Sequence, residues 1–291
     1  MINTIGASSD FDFFELIQFE LIKLKRTKNR MKKKVLITGA SKGIGKAIAE
    51  NLINDGKYDV YGTSRNPDNV KDKNDRLTLV KLDVTKIESI QACSDQIGNI
   101  DILINNAGQS QLGAAEDTSI VKYKELFDVN FFGVVGVTNI FLPSIRNNKG
   151  KIINIGSLIG TFNLPYYSSY TASKSALQGY SHSLRMELLK FGVQVTLIEP
   201  NDFATSIEPE VLCKESSVYT QTLNIIREKI RANMSKSESP DVIGKFIVKL
   251  LTKQKLKAYY PYGGNAKMLT ILKRMLPHEI VHKLTMQSYN L

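Results

Sequence analysis

From Lys34 onward, short apolar-rich runs alternate with stretches whose apolar residues recur every three or four positions. The runs Val35–Thr38, Val60–Thr63, Leu77–Leu82, Ile102–Ile104, Ile152–Ile155 and Val193–Ile198 have the length and content of buried strands. Ile44–Ile53, a long region from about Ser119 to Ser144, and Tyr170–Lys190 have helical spacing. Strand and helix in alternation predict an α/β fold: a doubly wound, Rossmann-like parallel sheet. Right-handed crossovers would lay helices on both of its faces.

After Pro200 the alternation stops. Residues 201–239 are mostly polar, helical in part by their pattern, and placed to wall a substrate pocket. Asp241–Leu251 reads as a helix started by Ser239 and Pro240. Ala258–Tyr262 has short-strand character and ends at Gly263-Gly264. Beyond it Met268, Leu269, Ile271, Leu272, Met275 and Leu276 form an apolar helical stripe, interrupted by Pro277 and resumed by Ile280, Val281 and Leu284. Such a stripe must be covered. A lid over the chain's own substrate pocket is the preferred reading, with a subunit contact and membrane attachment as alternatives.

The predicted organisation is a single catalytic domain, 31–264, between an N-terminal extension, 1–30, and a helical tail, 265–291. In the extension, apolar residues from Phe11 to Ile22 are broken by Asp12, Glu15 and Glu20 and followed by an acid-free basic run, Lys23 to Lys34. Acids within the apolar stretch and charge behind it fit neither a signal peptide nor a spanning helix. Two readings stay open: an amphipathic helix on a membrane or another subunit, or an extension that the catalytic unit does not need.

Composition narrows this further. The chain has 291 residues, 42% of them apolar, enough for one large core. Its two cysteines, Cys93 and Cys213, lie far apart with no histidine at ligand spacing, which argues against a disulfide scaffold or a metal site. The expected compartment is the cytoplasm, with membrane association as the alternative. A net charge of +11 raises the question of nucleic acid. However, the basic runs, including Lys245, Lys249, Lys253, Lys255 and Lys257, read as solvated flanks, and positive charge also steers a polyanionic cofactor.

Candidate chemistry starts at Thr38-Gly39-Ala40-Ser41-Lys42-Gly43-Ile44-Gly45, between the first strand and first helix. Glycines there let the backbone approach a pyrophosphate, whose charge meets free N–H groups at the helix start. The spacing is GxxxGxG, and the Gly-Lys-Ser/Thr ending of a triphosphate loop is missing, which argues against an ATPase or GTPase. Tyr170 and Lys174 are four apart on a helix and share a face. A phenol is about 0.1% ionised at pH 7, and a two-unit depression by a nearby ammonium is worth about 2.7 kcal/mol. Such a pair can donate a proton to a developing alkoxide or take one from an alcohol. Ser157, at the end of the fifth strand, lacks the flanking glycines of a nucleophile elbow. His182 reads as packing on its helix.

These motifs, with Asn105-Asn106-Ala107-Gly108 after the fourth strand, Asp83-Val84 after the third and Asn130 on the long helix, resemble the short-chain dehydrogenase/reductase family over about residues 34–205. The resemblance implies a catalytic set of Asn130, Ser157, Tyr170 and Lys174. Ser157 would orient the substrate oxygen, Lys174 would also hold the nicotinamide ribose, and Asn130 would hold a relay water. It implies a cofactor site at Gly39, Ser41, Lys42, Gly43, Ile44 and Gly45, with Asp83 and Val84 at adenine. Asn106, Ala107, Gly108 and Pro200 complete it, and Thr205 would bond the nicotinamide carboxamide. Where the family usually has Pro-Gly, this chain has Pro200-Asn201. Because Asn tolerates positive φ, the turn is expected to survive.

At the second strand Asp59 precedes the apolar run, whereas Ser64 and Arg65 close it, and Lys42 adds a second cation. An acid there would suit NAD and cations suit a 2′-phosphate, so the cofactor reading is NADP(H). Leu158, Ile159, Phe162, Leu164, Tyr166 and Tyr167 suggest an apolar pocket. The Val60–Arg65 run and the tail resemble the 17-beta-hydroxysteroid and retinol dehydrogenase-like, NADPH-preferring branch. The resulting reading is a homo-oligomeric, NADP(H)-dependent oxidoreductase interconverting a hydrophobic alcohol and its ketone or aldehyde. The alternatives are a 3-oxoacyl thioester reductase using the same residues and a non-catalytic NADP(H)-sensing interaction protein.

Overall fold

The structure, a computed structural model, describes residues 32–70, 74–201, 203 and 208–289. The N-terminal extension and Thr205 therefore lie outside the described residues, and Lys33–Leu291 form one unit.

Each strand expected from an apolar run is present. β1 (Lys33–Ile37), β2 (Tyr58–Ser64), β3 (Thr78–Lys81), β4 (Ile102–Asn105), β6 (Lys151–Ile155) and β7 (Gln194–Pro200) are joined by β9 (Tyr259–Tyr262). They form one parallel sheet in the order β3-β2-β1-β4-β6-β7-β9. A second, two-stranded parallel ribbon pairs β5 (Gln111–Gly113) with β8 (Glu210–Leu212).

Alternation within the strands divides the core. Val35 and Ile37 point to one face, against Ile48 and Leu52 of α1 (Gly43–Asp55), while Leu36 points to the other, with Val137, Phe141 and Ile145. α2 (Ile87–Ile97) lies on that second face through Ile90, Cys93 and Ile97. The chain runs outward from β1 to β3 and then returns to place β4 on the other side of β1. A crevice opens at such a reversal, outside the carboxyl ends of the strands.

The long helical region is three pieces: α3 (Ile120–Phe127), a π-helical turn over Asp128–Phe132, and α4 (Gly133–Asn147). This run is long and apolar enough to cross a membrane, yet Val137, Phe141 and Ile145 pack into the core, as in a core helix. The other helices are α5 (Leu158–Phe162), α6 (Ser168–Leu188), α7 (Thr220–Lys236), α8 (Pro240–Leu251), α9 (Ala266–Met275) and α10 (His278–Ser288). α7 is longer and more regular than its polar sequence suggested, because it seats Leu223 and Ile226 in an apolar cluster with Leu112 and Tyr167.

The tail departs from the lid expectation. α9 buries only Ala266 and Thr270, while Met268, Ile271, Leu272 and Met275 stay exposed. Apolar spacing marks a face but not the direction in which it points. Among the described residues of the tail, Tyr289, after α10, is the one that reaches the apolar cluster beside Tyr170.

Candidate active site

The phosphate turn leaves β1 through Gly39, at φ +67°, and enters α1 at Gly43, at φ +56°. Both conformations suit glycine. A Cβ on Gly45 would stand 2.2 Å from the Gly39 carbonyl oxygen and 2.5 Å from Asn106 Nδ2. The turn is therefore locked to the Asn105–Gly108 segment. Thr38 Oγ1 accepts from the backbone N–H groups of Asn106 and Ala107 at 2.9 and 3.0 Å. Asn106 Nδ2 donates back to the carbonyls of Thr38 and Gly39, each at 3.0 Å. Beneath it, Asn105 donates to Asn154 at 2.9 Å, and Asn154 donates to Ser181 at 2.8 Å.

Gly39, Ser41, Lys42 and Ile44 line a cavity of about 680 Å³ that runs along the carboxyl ends of the strands. Gly43 and Gly45 shape the turn without lining it. At one end stand Ser64, Arg65, Asp83 and Val84, and Ala107, Gly108 and Pro200 lie further along. Asp59 pairs in register with Lys34, near the start of its strand, whereas Arg65 directly follows its last residue. Burial opposes ionisation of Asp83. Even so, Thr85 donates to it from Oγ1 and N, at 2.7 and 3.0 Å, and with Lys86 and Arg65 holds its pKa below the usual value.

Ser157, Tyr170 and Lys174 meet in the same cavity. Ser157 follows β6 by two residues and caps α5, its Oγ accepting from Ile159 N at 3.3 Å. Tyr170 and Lys174 lie one turn apart on α6, and Lys174 Nζ is 5.8 Å from the Tyr170 ring centroid. The ammonium is buried and donates to Ile155 O at 3.1 Å. Burial lowers the Lys174 pKa to about 8, against the opposing pull of Glu199.

Asn130 sits in the π-helical turn and does not line the cavity. Its Oδ1 accepts from Gln109 N and its Nδ2 donates to Gln109 O, both at 2.9 Å; Nδ2 also reaches Ser173 Oγ at 3.1 Å. The amide thus ties the segment after Gly108 to α6. A Cβ on Gly108 would lie 3.2 Å from Asn130 Oδ1 and 3.6 Å from Lys174 Nζ, so the backbone passes close to both.

The opposite end of the cavity is apolar. Ile159, Tyr167, Phe203, Pro209, Ile230 and Met234 line it. Of the residues expected between Ser157 and Tyr170, Leu164 and Tyr166 pack instead in the cluster around Leu112, and Phe162 faces Lys273. Tyr166 holds φ +62° and Asn163 φ +57°, an uncommon conformation for side-chain-bearing residues that here shapes this loop. Among the described residues Lys149, Asn163 and Tyr166 are the non-glycine positions with positive φ. Asn201 therefore follows Pro200 without the left-handed conformation expected of it, donating from N to Tyr262 O at 2.8 Å.

A glycine-lined turn at a helix start, continuous with a basic end and a Tyr–Lys centre, fits a dinucleotide in shape and charge. Phe203 and α7 fall within the 201–239 stretch expected to wall the pocket, whereas sequence reasoning missed the Thr38 staple and passed over Glu199. The only sequence cue to Thr38 is its position just before Gly39.

Residues 33–215 match the short chain dehydrogenase family, and the chain belongs to it. An oxidoreductase of Bacillus subtilis is 35% identical over 266 residues, covering 84% of this chain and 94% of its own. Human retinol dehydrogenase 8 is 36% identical over 194 residues, 62% of either chain. A short-chain dehydrogenase from Streptomyces avermitilis superposes with a TM-score of 0.75 at 28% identity, over 90% of this chain and 97% of that one. The chain is accordingly an oxidoreductase that acts on CH–OH groups or their carbonyl partners in small molecules, with a fold whose neighbours bind NAD(P).

Proposed function

We propose that this chain is an NADP(H)-dependent oxidoreductase interconverting a hydrophobic alcohol and its ketone or aldehyde. The cofactor reading is carried by the carboxyl end of β2. Ser64 and Arg65 stand there with Lys42 across the same cavity, and Asp59 lies at the other end of the strand. Two exposed cations suit a 2′-phosphate, where an NAD site would use an acid. Titrating NADPH and NADH into the protein tests this. Tighter NADPH binding is expected, and equal affinity or a preference for NADH overturns it.

When bound, the nicotinamide supplies or accepts the hydride. The residues do the rest. Tyr170 holds the moving proton, giving it to the carbonyl oxygen in reduction and taking it from the hydroxyl in oxidation. The Lys174 ammonium favours the phenolate form of Tyr170. Ser157 hydrogen-bonds the substrate oxygen, and Asn130 keeps Gln109 and Ser173 in place beside these groups. The apolar end formed by Ile159, Tyr167, Phe203, Ile230 and Met234 supports a hydrophobic substrate, in keeping with the name of the retinol dehydrogenase relative.

A further inference from the structure

Glu199 is fully buried at the end of β7, and no step above uses it. Burying a carboxylate is costly unless hydrogen bonds and opposite charge compensate. Its Oε2 accepts from Thr161 Oγ1 at 2.7 Å and from the Tyr259 hydroxyl at 2.8 Å. Its Oε1 has no hydrogen-bond partner among the described residues.

Glu199 and Lys174 meet the same piece of backbone. Lys174 Nζ donates to Ile155 O, and Gly156 N donates to Ile198 O at 2.7 Å. A Cβ on Gly156 would stand 3.1 Å from Glu199 Cγ, and one on Gly160 would stand 2.9 Å from Lys174 Cβ. The two glycines let both side chains close onto the Ser157 segment. Burial raises the Glu199 pKa; the Thr161 and Tyr259 donors and the cations Lys174 from α6 and Lys273 from α9 oppose that and favour the carboxylate. Tyr259, held at about 12 by burial and by Glu199 itself, is a neutral donor.

Thr161, Tyr259 and Lys273 line a second cavity of about 570 Å³, whereas Lys174 lines the first. Glu199 therefore lies between the two: its donors and Lys273 line one cavity, and Lys174 lines the other. A buried ammonium held by a single carbonyl would lose its proton easily, and a neutral amine would no longer favour the Tyr170 phenolate.

We propose that Glu199 is a positioning residue whose carboxylate keeps Lys174 protonated, and so sets the pH range in which Tyr170 can accept a proton. The proposal rests on the Tyr170–Lys174 reading above. Two measurements separate the two ideas. In cofactor-free protein carrying ¹³Cε-lysine, the Lys174 resonance is identified by its loss in Lys174→Met and titrated. In Glu199→Gln, which keeps the size and an acceptor but removes the charge, the midpoint should fall by about one unit or more. In alcohol oxidation, an earlier loss of the ammonium leaves the phenol harder to ionise. The acid limb of kcat/KM should therefore move to higher pH. Tyr259→Phe, which only weakens the carboxylate's support, should shift both readouts the same way by less, and it carries the test if Glu199→Gln does not fold. A Lys174 midpoint unmoved in a folded variant overturns the role of Glu199. A moved midpoint with an unmoved limb overturns the Tyr170–Lys174 reading instead.

Discussion

The two ends of the cavity are built in opposite ways. At the phosphate end, backbone does the shaping: Gly39, Gly43 and Gly45 set the turn, and the Thr38–Asn106 staple fixes it to the next strand end. At the substrate end, side chains from separate elements do it: Ile159 in α5, Phe203 after β7, and Ile230 and Met234 on α7. A turn defined by glycines offers one geometry, suited to a phosphate group that is the same in every turnover. A wall of apolar side chains is adjusted by substitution without disturbing the sheet. Binding at the first end should thus be all-or-none to a small change, and at the second end graded.

Between the two ends lies the group on which turnover depends most. Tyr170→Phe keeps the ring against Tyr167 but removes the hydroxyl. Its kcat should fall by about 10²- to 10⁴-fold, with NADPH affinity close to that of the unsubstituted protein by fluorescence titration. Turnover near normal would remove Tyr170 from the chemistry.

Gly45→Ala tests the rigid end. The added methyl would meet Gly39 O at 2.2 Å and Asn106 Nδ2 at 2.5 Å, so the turn or the staple must move. Overpacking of this kind costs about 1–3 kcal/mol. Affinity for NADPH and NADH should fall together, by about 5- to 150-fold on that scale. Calorimetry with either nucleotide measures it, and unchanged affinity would show that the turn yields cheaply.

How much of this was legible in the sequence follows the same division. The phosphate turn and the Asn105–Gly108 segment are runs of neighbouring residues at strand ends, so their spacing carries their geometry. The same holds for Tyr170 and Lys174, one turn apart on α6. The Thr38–Asn106 staple spans 68 residues, and Asn130 reaches Gln109 and Ser173 across 21 and 43; nothing local marks such pairs. Glu199 gives no more signal than an acid before a proline, because its partners Thr161 and Tyr259 lie 38 and 60 residues away. The apolar stripe of α9 was visible, but periodicity could not tell a lid from an exposed surface.

Arg65→Ala separates charge recognition from the shape of the turn. Arg65 is exposed and contributes through its charge at one end of the cavity. Losing a charge-assisted contact of about 1.5 kcal/mol would weaken NADPH roughly tenfold and leave NADH nearly unchanged. Titrations of both nucleotides into both proteins give the ratio. An equal loss for the two would place Arg65 outside the 2′-phosphate site.

The smallest effect belongs to the graded end. Ile230 is half-buried on α7 and lines the cavity opposite the phosphate turn. Ile230→Ala removes three carbons from the wall, but partial exposure leaves only part of their burial to be lost when substrate leaves. On the scale of about 0.8 kcal/mol per buried methylene, roughly 1 kcal/mol is at stake. The KM for hydrophobic ketones should rise about fivefold while kcat and NADPH affinity hold, because contact made equally in ground and transition states is what disappears. A small polar ketone, too short to touch α7, should show no change. Steady-state kinetics with a series of ketones of increasing chain length tests this. A rise in KM that is the same for every chain length would mean that the substitution disturbs the whole cavity, and the contrast between a rigid end and a graded end would fail there.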